Sequence, residues 1–194
     1  MAAIVGPAVR ASHLKDDLLA LDELGPAGPR IRARLRAGTI ATIEQASRTE
    51  HLPVALNVEL AEAVFAEAGE VGARLWGTAS FLRSLDGFFK PLFLGLTKAI
   101  SPSPSLLFKA FPQGWLTTYR DAGHVVVSQA GAGRTRLTVT ELPPELRGTP
   151  FLTAVCGTLE GAFRISKYQG KATLEERRPD APEASWLVEW RPVT

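Results

Sequence analysis

The spacing of apolar residues divides this chain into a helical first half and a sheet-rich second half. Leu56, Leu60 and Val64 lie one helical turn apart, which predicts a helix that Asn57 can cap and Gly69 can end. Similar spacing predicts helices over residues 12–24, 30–37, 71–82, 86–100 and 106–111. Alternation of apolar and polar residues then predicts strands over residues 116–120, 124–129, 135–140, 171–177 and 185–191, with one further helix from residue 149.

These elements occur in the order helices, then β-β-β-α-β-β. Helices that are segregated from antiparallel strands are typical of an α+β domain, and no internal repeat is visible. We therefore predict an N-terminal arm with one helix over residues 1–29, followed by a single α+β domain over residues 30–194. In that domain, helices within residues 30–111 pack on a small antiparallel sheet, which occupies residues 115–191 together with one helix.

Composition and charge exclude several classes of protein. Of the 194 residues, 45% are hydrophobic and 22% are charged, so the chain can bury an ordinary globular core. The net charge is only +2, and Lys and Arg are spread along the chain, which argues against nucleic-acid binding. The longest apolar stretch, residues 88–100, is interrupted by Lys90, Pro91 and Lys98 and is shorter than the roughly 20 residues of a membrane span. No export signal is visible in residues 1–10, so we expect a cytoplasmic protein.

The C-terminal half carries motifs that resemble a known family. They are Leu137-Thr-Val-Thr-Glu-Leu-Pro-Pro after a strand pair, a helix with Gly157 and Gly161, and Trp186-Leu-Val-Glu-Trp190. Together they resemble a myxobacterial paralogous family of unknown function, whose members have about this length and a helical N-terminal half. The arrangement is also similar to a broader group that contains 4-vinyl reductase domains, haem–nitric-oxide sensor domains and Golgi-trafficking subunits.

The haem sensors of this group bind haem through particular residues, and this sequence can be compared with them. They require a histidine on the helix that precedes the sheet, and a Tyr-x-Ser-x-Arg cluster that holds the haem propionates. Residues 86–111 contain no histidine, and Tyr119-Arg120-Asp121 does not match that cluster. From the resemblance we therefore expect no cofactor, haem included.

The residues that carry chemistry form no recognisable catalytic motif. The histidines, at positions 13, 51 and 124, lack metal-binding spacing, and no Ser-His-Asp order, phosphate-binding loop or dinucleotide fingerprint is present. Cys156 lies in the middle of a predicted helix on a stripe with Leu152 and Leu159, where core packing is favoured over a nucleophilic or modified thiol. We therefore predict no catalytic residue, no metal site and no enzymatic activity.

Three small residues share one helix in the second half. They are Ala154, Gly157 and Gly161. A helix without bulky side chains on one face can approach another backbone closely. We predict that these residues allow close packing inside the domain, with a homodimer contact as the alternative.

Aromatic residues are concentrated before the predicted sheet and at its entry. They are Phe88, Phe89, Phe93, Phe108, Phe111, Trp115 and Tyr119. If the helices stand off the sheet, these side chains would line an apolar pocket for a flat or lipidic ligand. Exposed Trp186 or Trp190 would instead mark a protein-binding patch.

Two hypotheses for function follow from these observations. The leading hypothesis is a non-catalytic binding module, a sensor-like or adaptor domain that recognises a protein partner or a second copy of itself. The alternative is a receptor for a small apolar or aromatic ligand, held between the helices and the sheet. The first predicts a filled core and an exposed apolar patch, whereas the second predicts an enclosed cavity lined by the phenylalanines.

Overall fold

The computed structural model describes residues 6–86, 103–175 and 180–193. Its α-helices are α1 (Ala11–Ala20), α2 (Ala27–Arg34), α3 (Ala37–Gln45), α4 (Ala55–Asp86), α5 (Pro104–Thr118) and α6 (Thr149–Arg164). Its strands are β1 (Ala8–Arg10), β2 (His51–Pro53), β3 (Tyr119–Arg120), β4 (His124–Gly131), β5 (Arg134–Thr140), β6 (Tyr168–Leu174) and β7 (Ala184–Pro192). The strands from β3 onward follow the predicted order around α6, so the α+β class is confirmed.

A three-stranded antiparallel sheet, in the order β2-β1-β3, connects the N-terminal region with the middle of the chain. The sequence pattern did not predict β1 or β2, because strands of three residues are too short to show an alternation. Helix α1 follows β1 directly, and its Leu14 and Leu18 are buried in the core. Residues 8–20 therefore pack against the rest of the chain.

Helix α4 consists of two helices joined at a kink. Gly69 has a φ of 64° and a ψ of −164° at this point. Only glycine adopts this backbone conformation readily, because it has no Cβ. The helix end that the sequence predicts at Gly69 is present as this break, and a second helix continues from it to Asp86.

The second part of α4 packs against α6, and the two backbones approach each other closely. A Cβ atom added to Gly157 would lie 2.0 Å from the carbonyl oxygen of Arg74, and one added to Gly77 would lie 2.1 Å from that of Ala154. Gly161 lies against a phenylalanine ring of α4 at the same crossing. The structure thus brings Ala154, Gly157 and Gly161 together on the face of α6 that contacts α4.

The second sheet contains four antiparallel strands in the order β4-β5-β7-β6. Trp186 of β7 pairs with Leu137 of β5 in register, and both side chains are buried. Val188 is buried on the same face, whereas Leu187 and Glu189 are more exposed on the other. The alternation in the sequence therefore identifies the face of this sheet that packs on the helices.

Helix α5 is longer than the sequence predicts. Residues 116–118 continue the helix rather than begin a strand, although Pro112 lies inside it and proline usually ends a helix. Phe108, Phe111 and Trp115 share one face at helical spacing, and their packing against the core stabilises the helix through the proline. The helix predicted for residues 86–100 lies outside the described residues after Asp86. Within the three described ranges, no helix combines the length and apolar character that membrane crossing requires.

Candidate functional site

A small apolar cavity lies where α1, α4, α5 and α6 meet, and its volume is about 100 Å³. Helix α6 supplies one wall through Val155, Thr158, Leu159 and Ala162. These residues are spaced i, i+3, i+4 and i+7, so they share one helix face. The lining is mostly apolar, which is typical of pockets that hold apolar or aromatic ligands.

Helix α5 and the start of β3 supply the aromatic wall of this cavity. Four of the predicted pocket residues line it, namely Phe108, Phe111, Trp115 and Tyr119. The other three predicted pocket residues, Phe88, Phe89 and Phe93, lie outside the described residues. The rings of Trp115 and Tyr119 stack with their centroids 4.5 Å apart, an arrangement that fixes the orientation of both side chains.

A buried hydrogen-bonded cluster forms the polar corner of the cavity. The Tyr119 hydroxyl donates to Oδ1 of Asn57 at 3.0 Å, and Nδ2 of Asn57 donates to Oδ2 of Asp17 at 2.8 Å. The hydroxyl of Ser80 also donates to the Asp17 carboxylate. Nε2 of His13 lies 3.5 Å from the Tyr119 hydroxyl oxygen and 3.6 Å from Oδ2 of Asp17. The cluster therefore presents one imidazole and one phenol to a mostly apolar space.

Burial shifts the pKa values of Asp17 and Tyr119 in this cluster. Removal from water raises the pKa of Asp17 above its ordinary value, while the nearby His13 imidazole and two hydrogen bonds act in the opposite direction. Burial also raises the pKa of Tyr119 well above its usual range, and the neighbouring Asp17 carboxylate adds to that shift. The Tyr119 hydroxyl is therefore protonated at neutral pH and serves as a hydrogen-bond donor.

We expect the Asp17→Asn variant to gain stability relative to the wild type as the pH rises. The folded-state pKa of Asp17 lies above its ordinary value of 3.8, so the folded protein binds more protons than the unfolded chain between those two pKa values. The stabilising contribution of this acid is complete below the unfolded-state pKa and is lost as the pH rises through the folded-state pKa. Asparagine does not titrate, so the variant escapes this loss.

Urea unfolding of both proteins between about pH 3 and pH 7 measures this difference in the free energy of unfolding. His13 and Asp16 also lie beside Asp17, so the comparison is repeated in a His13→Gln background, with Asp16 unchanged throughout. The matched control is Asp22→Asn, which neutralises an exposed carboxylate. A difference between variant and wild type that stays constant or falls with rising pH would show that burial does not dominate at Asp17.

Trp186 and Trp190 do not form the exposed patch that the partner-binding hypothesis requires. Trp186 is only 1% exposed, and its indole N–H donates to the carbonyl oxygen of Leu152 at 3.2 Å. The ring of Trp190 is partly buried and packs against Phe108, with the ring centroids 5.6 Å apart. The amphipathic strand predicted from the alternation is present, but its aromatic face is directed toward the helices rather than toward solvent.

Cys156 lies inside the core on α6. Its thiol is 1% exposed, and burial raises its pKa to about 11, with the Arg74 guanidinium nearby acting in the opposite direction. A thiol with so high a pKa is almost entirely protonated at neutral pH and is a poor nucleophile. Its environment therefore favours the packing role expected from the sequence.

The sequence did not indicate that His13, Asp17 and Asn57 lie together at one site. His13, Asp17 and Asn57 belong to two helices, and each is far along the chain from Tyr119. The sequence did contain one signal for Asp17. This residue lies one helical turn after His13 and close to the apolar residues Leu14 and Leu18, so it lies near the apolar stripe of the helix. That signal indicates burial of the carboxylate but not its partners.

The fold is similar to that of several solved H-NOX proteins. The Fe(II) unliganded H-NOX protein from K. algicida has a TM-score of 0.63 and 11% sequence identity, and the match covers 95% of this chain and 97% of that one. The oxygen complex of an oxygen-binding H-NOX domain related to soluble guanylate cyclases has a TM-score of 0.65 and 9% identity, with the same coverage of 95% and 97%. A structure concerned with modulating haem redox potential through porphyrin distortion has a TM-score of 0.64 and 10% identity, again covering 95% and 97%. No protein-family model and no curated protein sequence matches the chain.

At these identities the similarity shows the fold alone, and it confirms the resemblance to the haem–nitric-oxide sensor group at that level. It also overturns the expectation that the chain binds no cofactor. That expectation excluded haem because residues 86–111 contain no histidine and Tyr119-Arg120-Asp121 does not match the propionate-binding cluster. The similar structures include ferrous and oxygen-bound H-NOX proteins. His13 brings an imidazole to the cavity from a helix that this expectation did not consider.

Proposed function

We propose that the chain is a non-catalytic, sensor-like domain that binds a small apolar or aromatic ligand in the cavity between α1, α4, α5 and α6. The observation that carries this proposal is the cavity itself, with Phe108, Phe111 and Trp115 on one side and Leu159 on the other. Tyr119 and His13 supply its polar corner, which can orient a bound molecule through one hydrogen bond. This is the alternative of the two hypotheses that the sequence suggested.

The volume of the cavity limits the size of the ligand. An engineered apolar cavity of about 150 Å³ in another protein holds benzene or xenon. A cavity of about 100 Å³ therefore suits a ligand of only a few heavy atoms when the walls keep their positions. A larger ligand requires the helices that form the walls to separate.

Haem is the second candidate, and His13 is the observation that favours it. Histidine is a common iron ligand, and ligating imidazoles usually have a second polar partner that fixes the ring. Asp17 and Tyr119 both lie near Nε2 of His13 and can supply such a partner. Bound haem would supply an iron centre for a diatomic gas. Because a porphyrin is much larger than the cavity, its binding requires the walls of the cavity to separate.

The support for ligand binding is stronger than the support for a protein partner. The partner-binding hypothesis depended on an exposed aromatic patch, and Trp186 and Trp190 pack against the helices instead. Recognition of a protein partner or of a second copy therefore stays a prediction. Membership of the myxobacterial paralogous family and a cytoplasmic location also stay predictions, since both rest on the sequence motifs and composition.

Xenon is the sharpest probe of the cavity, because it is apolar and small enough to enter without movement of the walls. In methyl NMR spectra recorded under xenon pressure, we expect saturable shifts at Leu107, Val155 and Leu159, which line the cavity. Val71 is 80% exposed and serves as the internal control. Equal, non-saturating shifts at Val71 and at the three cavity residues would contradict the proposal.

A haemin titration tests the second candidate separately. If His13 ligates the iron, the wild type should give the visible absorption spectrum of histidine-ligated haem, and the His13→Ala variant should lose it. The His124→Ala variant is the matched control, because His124 is an exposed histidine remote from the cavity lining. An identical spectrum in wild type and His13→Ala would exclude His13 as the ligand, whatever the xenon experiment shows.

A further inference from the structure

The three-stranded sheet has a basic outer face. Arg10 of β1 pairs directly with His51 of β2, and Ala8 of β1 pairs with Arg120 of β3. Directly paired residues share a face of an antiparallel sheet, and residues two positions apart along one strand do the same. The side chains of Arg10, His51 and Arg120 therefore project from one face of this sheet, on three different strands.

A polar cleft of about 600 Å³ lies over this face. Arg10, His51 and Arg120 line it on one side. The guanidinium of Arg120 contacts an imidazole rather than a carboxylate, with its Nη2 3.4 Å from Nδ1 of His51. The Arg120 guanidinium and the His51 imidazole thus lie together beside a space that is large enough for a small molecule, since ligand pockets typically measure about 300–1,000 Å³, and Arg10 adds a positive charge near His51.

The described lining of the cleft also includes two acidic residues. They are Asp121, which follows β3, and Glu141, which follows β5, and His124 lines the cleft with them. Nε2 of His124 lies 3.7 Å from Oε2 of Glu141, and the Glu141 side chain is 78% exposed. The cleft therefore contains basic residues on the three-stranded sheet and acidic residues that lie just beyond strand ends.

The ionisation of His51 fits an anion-binding role. Burial lowers the pKa of His51, and the positive charges of Arg120 and then Arg10 lower it further. An anion placed between these groups would offset the repulsion and favour the protonated imidazole, which adds a hydrogen-bond donor. The geometry and the charges thus point to the same kind of ligand.

We propose that Arg120 and His51, with the positive charge of Arg10 beside them, form a binding site for the phosphate group of a small molecule. Guanidinium groups present several N–H donors in a fixed fork, and this fork matches the oxygens of a phosphate. The remaining volume of the cleft accommodates the rest of the molecule, along Thr117 and the turn at Asp121.

The phosphate site is also independent of the apolar cavity. Tyr119 and Arg120 are adjacent in β3, so their side chains lie on opposite faces of the sheet. Tyr119 borders both spaces, with its hydroxyl in contact with Asn57 beside the cavity, whereas Arg120 lines only the cleft. Loss of phosphate binding in an Arg120 variant would therefore leave xenon or haemin binding unchanged, and the two proposals can fail separately.

Calorimetric titration of the full chain with inorganic phosphate and with pyrophosphate tests this proposal. We expect both to bind, and we expect the Arg120→Ala variant to lose at least about tenfold in affinity. Arg164→Ala is the matched control, because it removes the same charge from an exposed position at the end of α6. Glu141→Gln removes a repulsive charge from the lining of the cleft and should strengthen binding about threefold.

Three outcomes would overturn the proposal. One is the absence of phosphate and pyrophosphate binding, and another is an equal loss in Arg120→Ala and Arg164→Ala, which would indicate a general charge effect. The third is equal or tighter binding of citrate, which would identify a carboxylate site. An Arg120→Lys variant keeps the charge without the fork, so an affinity between those of wild type and Arg120→Ala would support recognition by the guanidinium. Circular dichroism of each variant checks that the fold is retained.

Discussion

Replacing Gly157 with alanine is expected to lower the free energy of unfolding by about 3 kcal/mol. The added Cβ would lie 2.0 Å from the carbonyl oxygen of Arg74 and 2.7 Å from its Cα and carbonyl carbon. These are backbone atoms, so no side-chain rotation relieves the clash. The crossing of α4 and α6 must open, and because Gly77 and Ala154 are equally close, the packing is disturbed along both helices.

The matched control for this variant is Gly38→Ala. Gly38 lies in α3, and a Cβ atom added there has no heavy atom within 4 Å. Alanine favours the helix more than glycine does, so this variant should gain up to about 1 kcal/mol. Urea unfolding of both variants measures the two effects. Similar changes at the two positions would contradict the proposed role of Ala154, Gly157 and Gly161 in close helix packing.

Replacing Ala110 with tryptophan is expected to weaken ligand binding in the apolar cavity by at least about 100-fold. Ala110 lines the cavity on α5 and is partly exposed, so a large side chain can fill the space without being forced into a closed core. Filling about 100 Å³ removes the volume that the ligand would occupy. We expect the free energy of unfolding to change by less than about 2 kcal/mol.

Saturation of the xenon-induced methyl shifts measures this loss of binding. The control is Ala41→Trp, which adds the same side chain at an exposed position of α3. We expect Ala41→Trp to bind xenon as the wild type does. Retention of the saturable shifts at Val155 and Leu159 in Ala110→Trp would contradict the expectation that the tryptophan side chain removes the space in which the probe binds.

The C-terminal sheet and the class of the fold were predictable because their signals are local. The alternation of Trp186, Val188 and Trp190 with more polar residues identifies a strand and its buried face without knowledge of any partner. The break in α4 was predictable for a similar reason, since Gly69 permits a backbone conformation that other residues avoid.

Only the aromatic residues of the candidate site could be predicted from the sequence. Phe108, Phe111, Trp115 and Tyr119 lie close together in the sequence, and their aromatic character alone suggested a pocket wall. His13 and Asp17 could not be assigned to it, because only the tertiary fold brings α1 against β3 and α4. Likewise, the solvent exposure expected for Trp186 could not be decided from the strand pattern, which identifies a face but not what covers it.

The basic cleft was missed for a related reason. Arg10 and His51 belong to strands of three residues that are too short to be recognised from sequence, and nothing in the sequence pairs these strands with that of Arg120. The low net charge and the even spread of Lys and Arg argued against a basic surface. Pairing of strands that are distant along the chain brings these charges close together. The amino-acid composition contains no information on such pairing.

Native mass spectrometry of the protein purified from its own host tests the central claim most directly. The measurement compares native and denaturing masses for the wild type and for Ala110→Trp. We predict that the wild type carries a small molecule that is released on denaturation and that Ala110→Trp carries none. An apo mass for the wild type, or the same bound mass in both proteins, would contradict the proposal that the cavity between α1, α4, α5 and α6 is a ligand-binding site.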